Sequence, residues 1–324
     1  MKKFAIVRRN KGFSVYLFGK KIFSWHRKLR SRRYKQLAAK KYDADFSAAD
    51  RMELVSLQFE FSTGYTLNLD NPQTFNEKLQ WLKFFYHNPL MTVCADKHLV
   101  KEYVANIIGD EHLIPTIAVW DTPEQIDFAA LPEAFVLKVN WGSGQNVIVR
   151  DKSKADIRAI QKKLAKWISP RGNHYVHSFE SSYRDITPKI ICEPYIGALA
   201  ERLTCYKIFN FAAKPYLVQA VFDEKTRYTT VNYYDLDWNK LELRQNFPNN
   251  NCTVPKPFRF EQLLEFAEKL AKPFPYFSRV DLFEVDGKVL FSEITFFSDN
   301  GMAAFTPAHW DKQLGERIVL GLEK

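Results

Sequence analysis

The stretch from Arg279 to Gly301, RVDLFEVDGKVLFSEITFFSDNG, constrains the fold more than any other part of this 324-residue chain. Val280, Leu282, Phe283 and Val285 precede Asp286-Gly287, and Val289, Leu290, Phe291, Ile294 and Phe296 follow. Apolar, β-prone runs on either side of Asp-Gly predict two antiparallel strands joined by a tight turn. Each strand carries one carboxylate, Asp281 and Glu293. Side chains alternate along a strand, so the loop length decides whether the two share a face. A three-residue loop (Asp286, Gly287, Lys288) sets Asp281 opposite Glu293, with Arg279 and Thr295 on the same face. A two-residue loop sets Glu293 opposite Val280 instead. Like charges directly opposite destabilise a sheet. The first register therefore calls for a cation, and Mg²⁺, which takes one or two carboxylates plus substrate phosphates, suits it. A solvated edge hairpin accommodates the same residues.

Charge is distributed unevenly. Residues 1–42 hold 15 Lys or Arg and no Asp or Glu, whereas the other 282 residues hold 32 basic and 37 acidic side chains. The net charge of +10 thus belongs to one segment. The body is mildly acidic, which argues against a nucleic-acid-binding core. Aromatic and aliphatic residues interleave with the cations of 1–42. Such a segment suits an anionic membrane surface or an acidic polymer, and equally a basic strand and helix packed on the domain. Cys94, Cys192, Cys205 and Cys252 are scattered without CxxC or His spacing, so neither a zinc site nor a disulfide framework is expected. With no secretory signal and no run of about 18 apolar residues, the expected location is cytoplasmic, peripheral at the inner membrane face if 1–42 binds lipid.

Apolar spacing predicts helices over 46–57 (starting at Ser47 or Asp50), 76–88 (capped by Asn76, ended by Pro89), 96–107 (capped by Asp96), 122–129, 153–168, 259–272 and 308–322. Strands are expected at 112–120, 189–196, 203–211, 214–222 and 228–235. Residues 236–258 read as a surface loop. In AFVLKVNWGSGQNVIVRD (134–151) a glycine loop joins two strands, with Lys138 at the end of the first. This order is neither a Walker A loop nor a dinucleotide fingerprint. It fits a loop folded over phosphates through backbone N–H groups, or an ordinary hairpin loop. His174 and His177 read as surface residues.

Taken together, TFNEKLQWLK (74–83), DKHLVKEYV (96–104), LIPTIAVW (113–120), LPEAFVLKVNWGSGQNVIV (131–149), ICEPYI (191–196), YKIFNF (206–211), RVDLF (279–283), FSEITFF (291–297) and FTPAHWDKQLG (305–315) resemble the TupA-like branch of the ATP-grasp superfamily, found in bacterial capsular and cell-wall polysaccharide biosynthesis clusters. The resemblance implies an α+β fold with ATP between two α+β subdomains. It divides the chain into a basic segment (1–42), an N-terminal helical or α+β region (43–130) and an ATP-binding region (131–324). It implies phosphate contacts from Lys97 and Lys138, and a loop Gly142, Ser143, Gly144, Gln145, Asn146 over the β- and γ-phosphates. An adenine hinge at Glu193, Pro194, Tyr195 and Ile196 and a ribose ligand at Glu201 follow in the same way. Mg²⁺ falls on Asp281 and Glu293, with Thr295 where many members carry Asn. Arg279 would face the acyl phosphate, and Lys207 would be a further phosphate or substrate contact. The implied activity is ATP-dependent amide formation between an amine, such as an amino acid, and the carboxylate of a uronic acid in an acidic polysaccharide or its precursor. A capsule glycosyltransferase using Asp235-Leu236-Asp237 is the second reading, and a sugar kinase or glycan-binding protein on the same fold the third.

Overall fold

A computed structural model describes the backbone of residues 4–9, 12–17, 20–196, 204–223 and 227–321, with side chains from residue 29 onward within those ranges. It contains two compact units, 1–67 and 68–324. In the first, β1 (Phe4–Arg9), β2 (Gly12–Leu17) and β3 (Lys20–Ser24) form an antiparallel sheet in that order. Helices α1 (Trp25–Lys40) and α2 (Ala48–Thr63) follow. Ser47 caps α2 in a reciprocal capping box with Asp50, and Gly64 ends the helix at φ 86°, the left-handed conformation that favours glycine. Arg30 pairs with Glu60 and Arg33 with Glu53. Two cations of the basic segment are therefore matched by carboxylates of α2, while Arg32, Lys35 and Lys40 are exposed.

The second unit opens with α3 (Phe75–Phe85), α4 (Pro89–Ala95) and α5 (Val100–Ile108). Thr74, not Asn76, caps α3, in a capping box with Glu77. Asn76 is buried and donates instead to Ala303 O (2.9 Å) and Asp311 Oδ2 (3.0 Å). Pro89 follows the end of α3 and is also the first residue of α4, a position where its missing N–H costs nothing. Asp96 lies between α4 and α5 and accepts from the N–H of His98 (2.7 Å).

Then come β4 (Ala118–Trp120), β5 (Phe135–Val139), β6 (Asn146–Val149), α6 (Ile157–Ile168), α7 (Tyr175–Ser178) and β7 (Ile190–Pro194). The strands form a four-stranded antiparallel sheet ordered β4-β7-β5-β6. The expected 122–129 helix is only a 3₁₀ turn at Pro123–Gln125, and the 112–120 strand is confined to β4. The remaining elements are β8 (Cys205–Phe211), β9 (Lys214–Phe222), β10 (Thr230–Tyr234), β11 (Lys240–Leu241), α8 (Phe260–Ala271), β12 (Phe277–Val285), β13 (Lys288–Thr295) and α9 (His309–Gly315). Their strands make a six-stranded sheet ordered β11-β10-β9-β8-β12-β13. The terminal helix is shorter than the expected 308–322 span.

Each sheet has its own core. Phe260, Leu263, Phe266, Ala267 and Leu270 of α8 recur at helical spacing and are buried with Phe75 and Leu79 of α3, Val104 of α5 and the six-stranded sheet. Burying a Leu or Phe side chain contributes roughly 1.5–3 kcal/mol, so this one stripe on α8 anchors the helix. Ile160 and Leu164 of α6 join Phe135, Leu137 and Ile190 in the second core. Two α+β subdomains, each a sheet with helices, thus make up residues 68–324. Among the described residues no helix is long and apolar enough to cross a membrane.

Candidate active site

The turn between β12 and β13 has two residues, not the three that a regular ladder needs to set Asp281 opposite Glu293: Val285 pairs with Lys288 around Asp286 (φ 49°) and Gly287 (φ 71°). Positive φ at both central positions is the type I′ geometry that matches the twist of a hairpin. Alone, this turn would set Glu293 opposite Val280. The register shifts by one residue between Leu282↔Phe291 and Asp281↔Glu293, leaving Ser292 as a bulge. A bulge adds one residue to one strand and re-aims the side chains beyond it. Asp281 therefore does face Glu293, and Arg279 faces Thr295.

The cation between these carboxylates is supplied first by the chain itself. Arg279 Nε donates to Asp281 Oδ1 (2.7 Å) and Nη2 to Asp281 Oδ2 (2.8 Å). Nη2 also reaches Thr295 Oγ1 (3.1 Å) and Glu293 Oε1 (3.4 Å), and Nη1 donates to Ser298 Oγ (3.0 Å). Lys207 on the neighbouring β8 lies 3.1 Å from Asp281 Oδ2. Burial pushes the Asp281 carboxyl above its ordinary range, against the pull of Arg279 and Lys207. Burial also opposes the charge on Arg279, but Asp281, Glu293 and Asp299 together outweigh it and hold the guanidinium protonated. The guanidinium is thus engaged by four side chains, a geometry that suits holding Asp281 in place.

A cavity of about 300 Å³ opens between the two sheets. Lys97, Lys138, Asn146, the hinge Glu193–Ile196, Lys207, Asp281 and Glu293 all line it. Apolar side chains, among them Ile114, Val136, Ile148 and Phe283, complete the lining. Cations beside apolar surface suit a ligand with a flat ring at one end and anionic groups at the other.

Glu193 is 5% exposed, and Lys101 Nζ sits 2.6 Å from its Oε1 while Lys138 pairs with Oε2. Burial is the largest single influence on Glu193 and would raise its pKa. The two lysines together outweigh it and hold the carboxyl below the ordinary range. Burial lowers the pKa of Lys101, with Glu193 opposing. Lys97 Nζ donates to Gly142 O (2.6 Å), and Gln145 Nε2 to Gly172 O (2.7 Å), so both ends of the glycine loop are tied down while Gly144 turns at φ 68°.

Of the residues expected at the site, Gly142, Ser143, Gly144, Gln145, Arg279 and Thr295 are not among those lining this cavity. Glu201 lies outside the described residues. Lys101, Arg150, Asp223 and Ser292 line the cavity without having been anticipated. Lys101 is findable from the expected 96–107 helix, in which it stands one turn after Lys97; in the structure Lys97 lies in the turn just before α5. His174 is half-buried, and its Nε2 lies 3.1 Å from the buried carboxylate of Glu180, whereas His177 is exposed. Among the described residues no group of three or more His, Cys, Asp and Glu is placed to hold a metal. The hard oxygen donors are Asp281, Glu293 and the Thr295 hydroxyl; Arg279 engages all three, and the two carboxylates, Glu293 the more open of them, line the cavity where a cation completed by phosphate oxygens would sit.

Residues 77–319 match the family model of the TupA-like ATP-grasp proteins. The chain belongs to the TupA-like ATP-grasp family. Its two α+β subdomains with a cleft between them are the ATP-grasp fold. Among solved structures it is similar to the D-alanine–D-alanine ligase of Bacillus anthracis complexed with ATP, at 14% identity and TM-score 0.41 over 83% of this chain and 82% of that one. Against another structure of that ligase it covers 57% of the ligase chain. It is also similar to the ATP-grasp ligase PsnB complexed with minimal precursor (11% identity, TM-score 0.37, 91% and 78%). A third is the N5-carboxyaminoimidazole synthetase of Staphylococcus aureus complexed with ADP (13%, 0.38, 68% and 50%). The chain thus spans half to four fifths of these proteins. No curated protein matches it.

Proposed function

We propose that this ATP-grasp protein is a carboxylate–amine ligase that joins an amine, such as an amino acid, to the carboxylate of a uronic acid in an acidic surface polysaccharide or its precursor. The observation that carries the reading is the cavity in which Lys97, Lys101 and Lys138 meet Lys207, Asp281 and Glu293. A substrate carboxylate oxygen attacks the γ-phosphorus of ATP, the Pγ–O bond to the β-phosphate breaks, and ADP leaves. The amine nitrogen then attacks the acyl carbon, loses a proton and expels phosphate, leaving the amide. Two anions must meet in the first step, and lysines around the phosphates offset that repulsion.

Asp281 and Glu293, with Thr295 on the same face, would hold Mg²⁺, which when bound neutralises phosphate charge. Arg279 holds Asp281 in place and Lys207 bridges Asp281 to the substrate side. The hinge Glu193–Ile196 offers backbone groups to the adenine. No nucleophilic side chain is needed. The glycosyltransferase reading is disfavoured because Asp235 Oδ1 caps its own turn, accepting from the N–H groups of Asp237 (3.0 Å) and Asn239 (2.7 Å).

Residues 1–42 would hold the enzyme beside anionic lipid or glycan through the cations that α2 does not match. The experiment is product analysis with ATP, Mg²⁺, a uronic-acid glycan and a panel of amino acids. ADP and phosphate released only when carboxylate and amine are both present support ligation. A phosphorylated sugar without amide would establish a kinase instead.

A further inference from the structure

The six-stranded sheet carries a row of polar residues directly opposite one another across five strands. Glu293 pairs with Asp281, Asp281 with Lys207, Lys207 with Gln219, and Gln219 with Tyr233. The first three line the nucleotide cavity. The last three line a second cavity of about 240 Å³. Lys207 alone belongs to both, and Arg279 also faces the second. Gln219 and Tyr233 are almost fully buried. Burying polar groups is costly unless they are bonded, and these are linked in series: Gln219 Nε2 donates to Tyr233 Oη (2.8 Å), which donates to Gln245 Oε1 (2.8 Å).

We propose that the second cavity binds the carboxylate-bearing co-substrate and that this co-substrate is a single sugar-acid residue. The assignment rests on the ligase reading and adds to it a location for the sugar acid. Among the described residues of the lining, Lys207 and Arg279 are the cations and Asp299 the carboxylate; both cations also pair with Asp281, so an acid group entering here joins an ion network that already holds two cations. One N–H of Arg279 Nη1 remains beyond its bond to Ser298. Farther along, the lining changes from charges to amides. Gln219 Oε1 and Asn246 Oδ1 have no protein partner among the described residues, while Asn246 Nδ2 donates to Asp299 (2.9 Å). Acceptors spaced around a small chamber suit ring hydroxyls. Phe247, 47% exposed, offers an aromatic face to ring C–H groups. With the acid end at Lys207, the reacting carboxylate lies one strand from Asp281 and the nucleotide cavity.

The test uses the full chain and saturation-transfer NMR with glucuronate, galacturonate and gluconate as probes, and glucose as the neutral control. ADP affinity is measured alongside by calorimetry. The expected result is binding of at least one sugar acid and none of glucose, weakened about fivefold or more in Phe247→Ala and in Asn246→Ala, with ADP affinity unchanged. Both side chains are exposed, so neither change threatens the fold. The proposal is overturned if no sugar acid binds, if binding is the same in both variants, or if the variants weaken binding of the amine instead. Variant-sensitive sugar-acid binding without amide formation would sink the ligase reading and leave the cavity assignment standing. Amide formation with a variant-insensitive KM for the sugar acid would do the reverse.

Discussion

Replacing Glu193 by Gln separates two roles for the centre of the nucleotide cavity. In the wild type the carboxylate lies between Lys101 and Lys138, which keep 18% and 22% of their side-chain exposure. Removing one partner of a buried ion pair costs about 3–5 kcal/mol because the remaining charge is left uncompensated. Here both lysines reach the water of the cavity, so a loss of about 2–4 kcal/mol is expected. At about 2 kcal/mol per molar urea, the middle of the usual range, the unfolding midpoint falls by about 1–2 M. The same change should strengthen ADP binding. A carboxylate near a bound phosphate repels it by about 1 kcal/mol at intermediate dielectric, and its removal raises the affinity about fivefold. The pH dependence has a definite sign. Because the folded state holds Glu193 below its unfolded pKa, its stabilisation is present above about pH 4.3 and is lost as pH falls through the folded value. Wild type and variant should therefore converge in acid. Urea titrations at several pH values and calorimetry with ADP read all three effects. Weaker ADP binding with unchanged stability would refute the reasoning and make Glu193 a direct nucleotide ligand.

Lys83 is buried against Gln80 Oε1 (2.9 Å) and Asn300 O (3.1 Å), and burial lowers its pKa to about 7. Between there and its unfolded value the unfolded chain binds more protons, so stability should rise with pH from about 7 to about 10, by up to about 4–5 kcal/mol. Lys83→Met should flatten that slope in urea titrations. Glu293→Gln should reduce Mg²⁺-dependent ADP formation by about 10²–10³-fold; near-normal turnover would remove Glu293 from the metal site. Reversing Arg32, Lys35 and Lys40 to Glu should weaken co-sedimentation with anionic liposomes, at about 1 kcal/mol per cation removed, and unchanged co-sedimentation would leave those residues merely solvated.

What could be read from the sequence followed short-range rules. The α8 stripe, the Ser47 cap, the Asp-Gly turn and the ordered set of family segments all depend on neighbours a few residues apart. What could not be read depended on register or on one residue serving two elements. Helix α4 is hidden in the sequence because Pro89 reads as a stop, although a proline that cannot continue one helix can begin the next. The polar row from Glu293 to Tyr233 spans five strands, and no spacing within a single strand reveals which residues face each other. The family resemblance sets Arg279 against the acyl phosphate; its two-point bond to Asp281 is a further contact that its place on the same face allows.

The hairpin register shows how far the pattern can be pushed. The buried apolar residues of β13 and the position just after it fall at Val289, Phe291, Ile294 and Phe296, so the two-residue period breaks once, between Phe291 and Ile294. A strict alternation cannot put all four on one face, and a bulge within Ser292–Glu293 is the smallest device that can. A two-residue Asp-Gly turn and this break together give the observed pairing, without the three-residue loop. Deleting Ser292 should therefore leave Leu282↔Phe291 and Asp281↔Glu293 in place as a regular ladder, with a stability change of about 1 kcal/mol or less. Deleting Ile294 should be far worse. With the bulge kept, Thr295 meets Val280 on the core side, and without it Glu293 does, so either outcome buries a polar group in place of Ile294. A loss of about 3 kcal/mol or more is expected. Urea unfolding followed by tryptophan fluorescence compares the two. If removing Ser292 unfolds the protein as readily as removing Ile294, Ser292 is needed for more than register, and the break in periodicity is not what sets Glu293 against Asp281.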